Sequence, residues 1–119
     1  MENKTKTQII ETILETVSRY TDTPIHKLKS SSRLKEVAEA KHIARYMLYY
    51  YTTLSQKKVI ENTGGINHTS TIHSINRLSD LCATEKATKQ LVHNVEAEIA
   101  SQFSKVEKMW EQKKYLFNC

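Results

Sequence analysis

The chain has 119 residues, of which 39% are hydrophobic and 26% are charged, enough for one packed domain and short for two. Two glycines, one proline and long stretches with a helical period leave few strand or hairpin signals, so the predicted fold class is all-α. No apolar run is long enough to cross a bilayer and the first ten residues are polar, so we expect a cytoplasmic protein. The two cysteines, Cys82 and Cys119, form no metal or disulfide framework and are expected to be thiols.

The net charge of +5 is concentrated in the middle of the chain. Residues 26–77 carry nine basic and three acidic side chains, a local balance of +6. Residues 1–25 carry three basic and four acidic side chains, and residues 78–119 carry six of each. A charge run alone is more often a solvated face, but a one-sided excess confined to one segment is typical of a nucleic-acid binder.

Five or six helices are predicted, and the first three lie in the first half of the chain. Residues 7–20 carry apolar side chains at spacings of three and four, which indicates an amphipathic helix. Thr23 is a candidate cap for a short second helix with Pro24 at its first position. After the polar, basic loop KSSSRLK (residues 29–35), a long helix is expected from Val37 to about Leu54.

The second half of the chain contains both glycines. Ser55 is predicted to cap a short helix, the pair Gly64 and Gly65 to end it, and Asn67 to cap a helix that continues to about Leu81. A last, extended helix is expected to present an apolar stripe made of Leu91, Val95, Ile99, Phe103, Val106 and Trp110.

The order long helix, short helix, glycine turn, helix is that of a helix-turn-helix, whose final helix enters the major groove. At about 100° per residue, Ile75 and Leu78 fall on the packing side of that helix. Hydrogen-bonding side chains occupy the opposite side and the amino-terminal end: Asn67, His68, Thr69, Ser70, His73 and Arg77. They are either solvated and capping residues or groups that read base edges, and the basic midsection favours DNA.

The stretch GGINHTSTIHS (residues 64–74) resembles the signature of the C-terminal DNA-binding domain, domain IV, of the bacterial replication initiator DnaA. That signature runs glycine, glycine, arginine, aspartate, histidine, threonine, threonine or serine, valine. The upstream VAEAKHIARYML looks like the family's preceding helix, and the resemblance covers roughly residues 8–103, most specifically residues 33–78. It implies a compact helical domain with a Trp-repressor-like helix-turn-helix that binds a double-stranded site, the DnaA box.

The resemblance also implies roles for individual residues. Residues 67–70 would read bases, Ser74 would approach a thymine methyl, and Arg33 would reach into the neighbouring minor groove. Lys41 would lie at the DNA surface, and residues 55–57 would contact phosphates. The candidate DNA-binding residues are Arg33, Lys35, Lys41, Ser55, Gln56, Lys57, Asn67, His68, Thr69, Ser70, His73, Ser74 and Arg77.

Two departures from the signature bear on specificity. Ile66 stands where the family has arginine, and Asn67 stands where it has aspartate. A carboxylate only accepts hydrogen bonds, whereas an amide both donates and accepts and is well suited to adenine. We therefore expect a site related to the DnaA box but with an altered preference.

The predicted organisation is a helix-turn-helix domain over residues 1–103 and a C-terminal helical extension over residues 104–119, which could contribute to a homodimer. The chain has no Gly-rich phosphate loop with lysine, so no ATPase activity is expected, and the expected role is that of a stand-alone regulator or competitor at DnaA-box-like sites. The histidines have no neighbouring carboxylate or cysteine at a ligand spacing, so we expect no enzyme, metal or cofactor. Because no apolar run is long enough to cross a bilayer, we also expect no membrane partner. The alternative is a helical adaptor that binds protein through the Leu91–Trp110 stripe.

Overall fold

The computed structural model describes residues 6–32, 34–65 and 70–103. These residues form six helices and no strand, which confirms the all-α prediction. The helices are α1 Lys6–Thr21, α2 Ile25–Leu28, α3 Lys35–Tyr51, α4 Gln56–Asn62, α5 Thr71–Thr84 and α6 Lys86–Ala100. No helix among them is long and apolar enough to cross a membrane.

The helix α3 lies at the centre of the fold and contacts all five other helices. Its second half is buried on every side, because α1, α5 and α6 pack around it. The large side chains that fill this core are completely buried and come from four helices: Ile13, Leu14, Tyr46, Tyr50, Met47, Ile75, Leu78 and Ile99. Burial of this apolar surface is the main force that holds the helices together.

Several helix boundaries differ from the sequence predictions. The helix α3 runs from Lys35 to Tyr51, whereas it was predicted from Val37 to about Leu54. Pro24 is the N-cap of α2, and the Thr23 side chain makes no cap bond to this helix. The helix α5 begins at Thr71 with Ser70 as its N-cap, so the predicted start and cap at Asn67 are wrong. The helix α6 ends at Ala100, so the predicted extended helix is shorter than expected. Of the rest of the predicted stripe, Phe103 follows the helix and packs against the core, and Val106 and Trp110 lie outside the described residues.

The end of α4 explains one of the two glycines. Gly64 has a φ of +65°, a left-handed conformation that L-residues adopt at a cost. The Gly65 N–H donates to the Ile60 carbonyl at 3.1 Å across this turn, which is the pattern of a Schellman motif. The motif ends α4 and turns the chain towards α5.

The helix α6 completes the hydrophobic core. Val92, Val95 and Ile99 are completely buried where α6 packs on α1 and α5. Cys82, on α5, is also buried and is disulfide-bonded, so the expectation of a free thiol at this residue is wrong.

Candidate nucleic-acid interface

The pair α4 and α5 has the arrangement of a helix-turn-helix. Ser55 caps α4 as predicted, and its hydroxyl accepts from the Lys58 N–H at 3.2 Å. The Thr71 hydroxyl, at the start of α5, donates to the Gln56 carbonyl at 2.8 Å. This bond ties the amino-terminal ends of the two helices together, so the exposed residues of both ends belong to one surface.

The start of α4 is exposed and basic. Ser55, Gln56 and Lys57 are all exposed. Lys58 pairs with Glu61 at 3.2 Å, whereas Lys57 has no ion pair with any residue that the structure describes. The Lys57 ammonium is therefore available to an anion, and the neighbouring Lys58 is partly neutralised.

The helix α5 has one buried and one exposed face. Thr71, Ile75 and Leu78 are buried, as the helical period predicts. His73 and Arg77 are exposed on the other side. Ser70 is half-buried, and its hydroxyl accepts from the His73 N–H at 3.2 Å in the N-cap. The exposed face of α5 therefore carries His73 and Arg77, two of the side chains that were predicted to lie there.

Ser74 does not lie on the exposed face of α5. It is 4% exposed, and its hydroxyl contacts Arg45 Nη1 at 2.7 Å and His42 Nδ1 at 2.9 Å. Ser74 precedes Ile75 and follows Thr71 by three residues, so the helix turns it towards α3. The assignment of Ser74 as a DNA contact is not compatible with this burial, and we do not retain it.

Arg45 is the centre of a buried polar cluster that sequence reasoning missed. Its Nε donates to Thr63 Oγ1 at 2.8 Å and its Nη2 donates to the Thr63 carbonyl at 3.2 Å. No carboxylate among the described residues pairs with it, and burial lowers the pKa of Arg45 to about 10. The guanidinium joins α3 to the end of α4 and, through Ser74, to α5. The available signal was a charged residue inside the apolar run IARYMLYYY (residues 43–51).

His42 completes this cluster and is held in its neutral form. Burial, and to a smaller extent the positive charges of Arg45, Arg77 and Lys41, lower the pKa of His42 to about 4. Arg45 donates to the Ser74 hydroxyl, and that hydroxyl is hydrogen-bonded to Nδ1 of His42, where the tautomer of the neutral imidazole sets which of the two groups donates. The three basic side chains thus produce a positive potential around the junction of α3 and α5.

Lys41 is also buried, at 4% exposed. Its ammonium donates to the carbonyls of Ser30 and Ser32, the latter at 3.2 Å. Burial and the charge of Arg45 lower its pKa. The side chain is directed to the loop between α2 and α3 and not to the surface, so the implied surface contact of Lys41 is not compatible with its placement.

Twelve of the 13 predicted DNA-binding residues fall into three groups, and the remaining one, Ser70, is half-buried. Lys35, at the start of α3, is exposed, as are the predicted residues of α4 and the outer face of α5. Lys41 and Ser74 are buried. Four predicted residues lie outside the described residues: Arg33, Asn67, His68 and Thr69.

Comparisons with a family model and with known proteins point to the same family. Residues 10–78 match the family model described as the bacterial dnaA protein helix-turn-helix. The chain is 31% identical over 85 residues to the chromosomal replication initiator protein DnaA of Picosynechococcus sp. and 29% identical over 85 residues to that of Nostoc sp.. The matched region covers 71% of this chain but only 19% and 18% of those proteins. A comparison with solved structures found no match. Since the family model covers more than half of its residues, including α4 and most of α5, the chain belongs to the bacterial DnaA helix-turn-helix family.

Proposed function

We propose that this chain binds double-stranded DNA sequence-specifically, at a site related to the DnaA box. The observation that carries the proposal is the exposed face of α5, where His73 and Arg77 project from a helix whose opposite face is buried. Lys57 adds an available positive charge at the start of α4, and Thr71 ties that end to α5. A helix in the major groove reads bases in this way while neighbouring basic groups contact phosphates.

The segment that precedes α5 is proposed to set the sequence preference. By resemblance, Asn67, His68, Thr69 and Ser70 contact bases, and Arg33 enters the adjacent minor groove. Because Asn67 replaces an aspartate, the preference at its base pair should shift towards adenine. The variant Asn67→Asp should move the selected sequence back towards the standard DnaA box. Selection of the unchanged box by both proteins would refute this step.

At such sites we propose that the chain acts as a regulator or competitor of the initiator, in the cytoplasm and associated with the nucleoid. These 119 residues carry the helix-turn-helix and no Gly-rich phosphate loop with lysine, so binding is proposed to be independent of ATP. Footprinting on a DnaA-box duplex tests this role. Increasing amounts of the protein should displace a full-length DnaA without added nucleotide, and simultaneous occupancy of one box by both proteins would contradict it.

Selection from random duplexes with the purified protein is the primary test of DNA binding. Enrichment of one motif is expected, and His68→Ala and His73→Ala should each reduce discrimination by about 1–3 kcal/mol at one position of that motif. The variant His93→Ala is the matched control, because His93 is exposed on α6, outside the proposed interface. Absence of any enriched motif would refute sequence-specific binding.

Salt dependence tests the phosphate contacts separately. The slope of log K against log salt should fall in magnitude by about 0.9 for each phosphate contact removed. Lys57→Gln should show this change, whereas Lys89→Gln should not, since Lys89 is exposed on α6. Equal slopes for wild type and Lys57→Gln would remove Lys57 from the interface.

The adaptor alternative finds less support in the fold. The described part of the apolar stripe is used inside the molecule, since Val95 and Ile99 are completely buried against α1 and α5. Binding that selects no sequence and does not change with salt would favour the adaptor. A dimer contact through residues 104–119 stays a prediction. Sedimentation of the full chain and of a variant that ends at residue 103 tests it, and a monomer in both cases would refute it.

A further inference from the structure

The loop between α2 and α3, which carries the basic sequence KSSSRLK, is held from two sides at one backbone carbonyl. The Ser30 carbonyl oxygen accepts a hydrogen bond from the buried Lys41 ammonium. The same carbonyl group lies directly against Gly64. Ser30 therefore joins the basic loop to α3 and, across a separation of 34 positions, to the turn that precedes α5.

The contact with Gly64 leaves no room for a side chain. A Cβ atom on Gly64 would lie 2.6 Å from the Ser30 carbonyl carbon and 2.7 Å from that of Lys29, with the Ser30 oxygen closer still. These neighbours are backbone atoms, so a larger residue must displace the loop or the turn. Gly64 is therefore required both for its φ of +65° and for the close approach of these two segments.

Serine side chains stiffen the rest of the loop. The Ser30 hydroxyl donates to the Lys27 carbonyl at 2.7 Å and accepts from the Ser32 N–H at 3.2 Å. The Ser32 hydroxyl accepts from the Leu34 N–H at 3.4 Å. Such local bonds from serine to backbone fix turns. With the Lys41 ammonium on the carbonyls of Ser30 and Ser32, the loop has a defined conformation from Lys27 to Ser32.

We propose that Lys41 and Gly64 are positioning residues that clamp the basic loop to the turn before α5, so that two DNA-contacting segments keep a fixed separation. Lys41 acts through the loop and makes no phosphate contact. The inference rests on the proposed DNA-binding function. In that function the loop supplies Arg33 to one groove and the segment before α5 enters the next. A rigid link between the two lowers the entropy that is lost when both bind.

The first test separates a positioning lysine from a phosphate-binding lysine by salt dependence. Lys41→Met keeps the apolar stem and removes the ammonium. We expect it to weaken binding to the selected duplex about tenfold and to leave the salt slope unchanged. Lys57→Gln is the matched comparison, because it should weaken binding and also lower the slope by about 0.9. A Lys41→Met slope that falls as much, or wild-type affinity in Lys41→Met, overturns the clamp.

A double-mutant cycle tests whether Lys41 acts through the loop. The effect of Lys41→Met should be at least about threefold smaller in an Arg33→Ala background than in the wild type, because the clamp then has no arginine left to position. Its effect in a Lys57→Gln background should be unchanged. Equal effects in all three backgrounds would contradict the coupling.

Amide hydrogen exchange of the free protein tests the clamp without DNA. Lys41→Met and Gly64→Ala should each raise the exchange rates of Ser32 and Leu34 about tenfold or more, and Lys57→Gln should not. Unchanged exchange in Lys41→Met means that the clamp does not exist, whatever the DNA experiments show. If Lys41→Met shows raised exchange but the wild-type protein binds no duplex, the proposed function is refuted, and the positioning role is refuted with it.

Discussion

Acid should destabilise this protein through His42. The imidazole is half-buried and hydrogen-bonded to Ser74, and its burial, with the charges of three basic side chains, lowers its pKa to about 4, compared with 6.5 in an unfolded chain. Between these two values the unfolded state binds the proton and the folded state does not, so the stability gained above pH 6.5 is lost as the pH falls towards 4.

The size of the effect follows from the two pKa values. The complete shift corresponds to about 3 kcal/mol, and the part expressed between pH 7 and pH 5 is about 2 kcal/mol in the free energy of unfolding. The glutamine of a His42→Gln variant can hydrogen-bond to the Ser74 hydroxyl as donor or acceptor but cannot be protonated in this range. The variant should therefore lack this 2 kcal/mol of acid sensitivity.

Urea unfolding followed by far-UV circular dichroism at pH 7 and pH 5 measures both quantities. Carboxylates also titrate in acid, but their contribution is common to both proteins and cancels in the difference. His93→Gln is the control, since His93 is exposed on α6 and its variant should retain the acid sensitivity of the wild type. If His42→Gln loses as much stability as the wild type between the two pH values, the imidazole is not buried as described.

Three further substitutions test other contacts by the same unfolding assay at pH 7. Thr63→Val removes the hydroxyl that accepts from Arg45 Nε at 2.8 Å and should lower the free energy of unfolding by about 2 kcal/mol. The control Thr53→Val, at an exposed residue, should change it by less than about 0.5 kcal/mol. An equally small effect of Thr63→Val would show that the Arg45 guanidinium does not depend on this hydroxyl. Glu96→Ala removes the carboxylate oxygen Oε2 that accepts from the Tyr46 and Tyr51 hydroxyls, at 3.1 Å from each, and should lower the free energy of unfolding by about 2 kcal/mol. The control is Glu11→Ala, at an exposed residue. Equal stability of the two variants would contradict these hydrogen bonds. Gly64→Ala should lower the free energy of unfolding by more than about 2 kcal/mol, because Gly64 has a positive φ and lies against Ser30. Gly65→Ala should have less than half of this effect, since the φ of Gly65 is not positive. A larger effect at Gly65 than at Gly64 would contradict the left-handed conformation of Gly64.

Local patterns predicted the helical framework well. The spacing of Ile75 and Leu78 identified the buried face of α5, and Ser55 was recognised as the cap of α4. Both properties depend on residues within one or two turns of each other, so the sequence contains the necessary information. The cap of α5 was assigned to Asn67 and is Ser70, because both residue types cap helices well and local preference does not distinguish them.

The buried basic residues could not be predicted in this way. The resemblance implied that Lys41 lies at the DNA surface, and Arg45 was only one of the nine basic side chains counted in residues 26–77. In the structure Lys41 reaches the carbonyls of Ser30 and Ser32, and Arg45 reaches Thr63, 18 residues away in sequence. Backbone carbonyls and threonine hydroxyls take the place of carboxylates as partners, and no pattern of charge in the sequence indicates them. The resemblance located Lys41 in the correct helix but could not indicate that its ammonium points inward.

The position of α6 has a consequence for how the domain can be divided. The family match ends at residue 78, within α5, but Val92, Val95 and Ile99 of α6 are completely buried against α1 and α5. A fragment cut at the end of the match would lack α6 and would expose to water the apolar surfaces of α1 and α5 that α6 covers, so the shortest independently folding unit extends at least to Ala100. The segment that carries the family's sequence signature is thus smaller than the unit that folds. Transfer of this helix-turn-helix module to another protein would need α6 as well, although α6 lies beyond the matched residues.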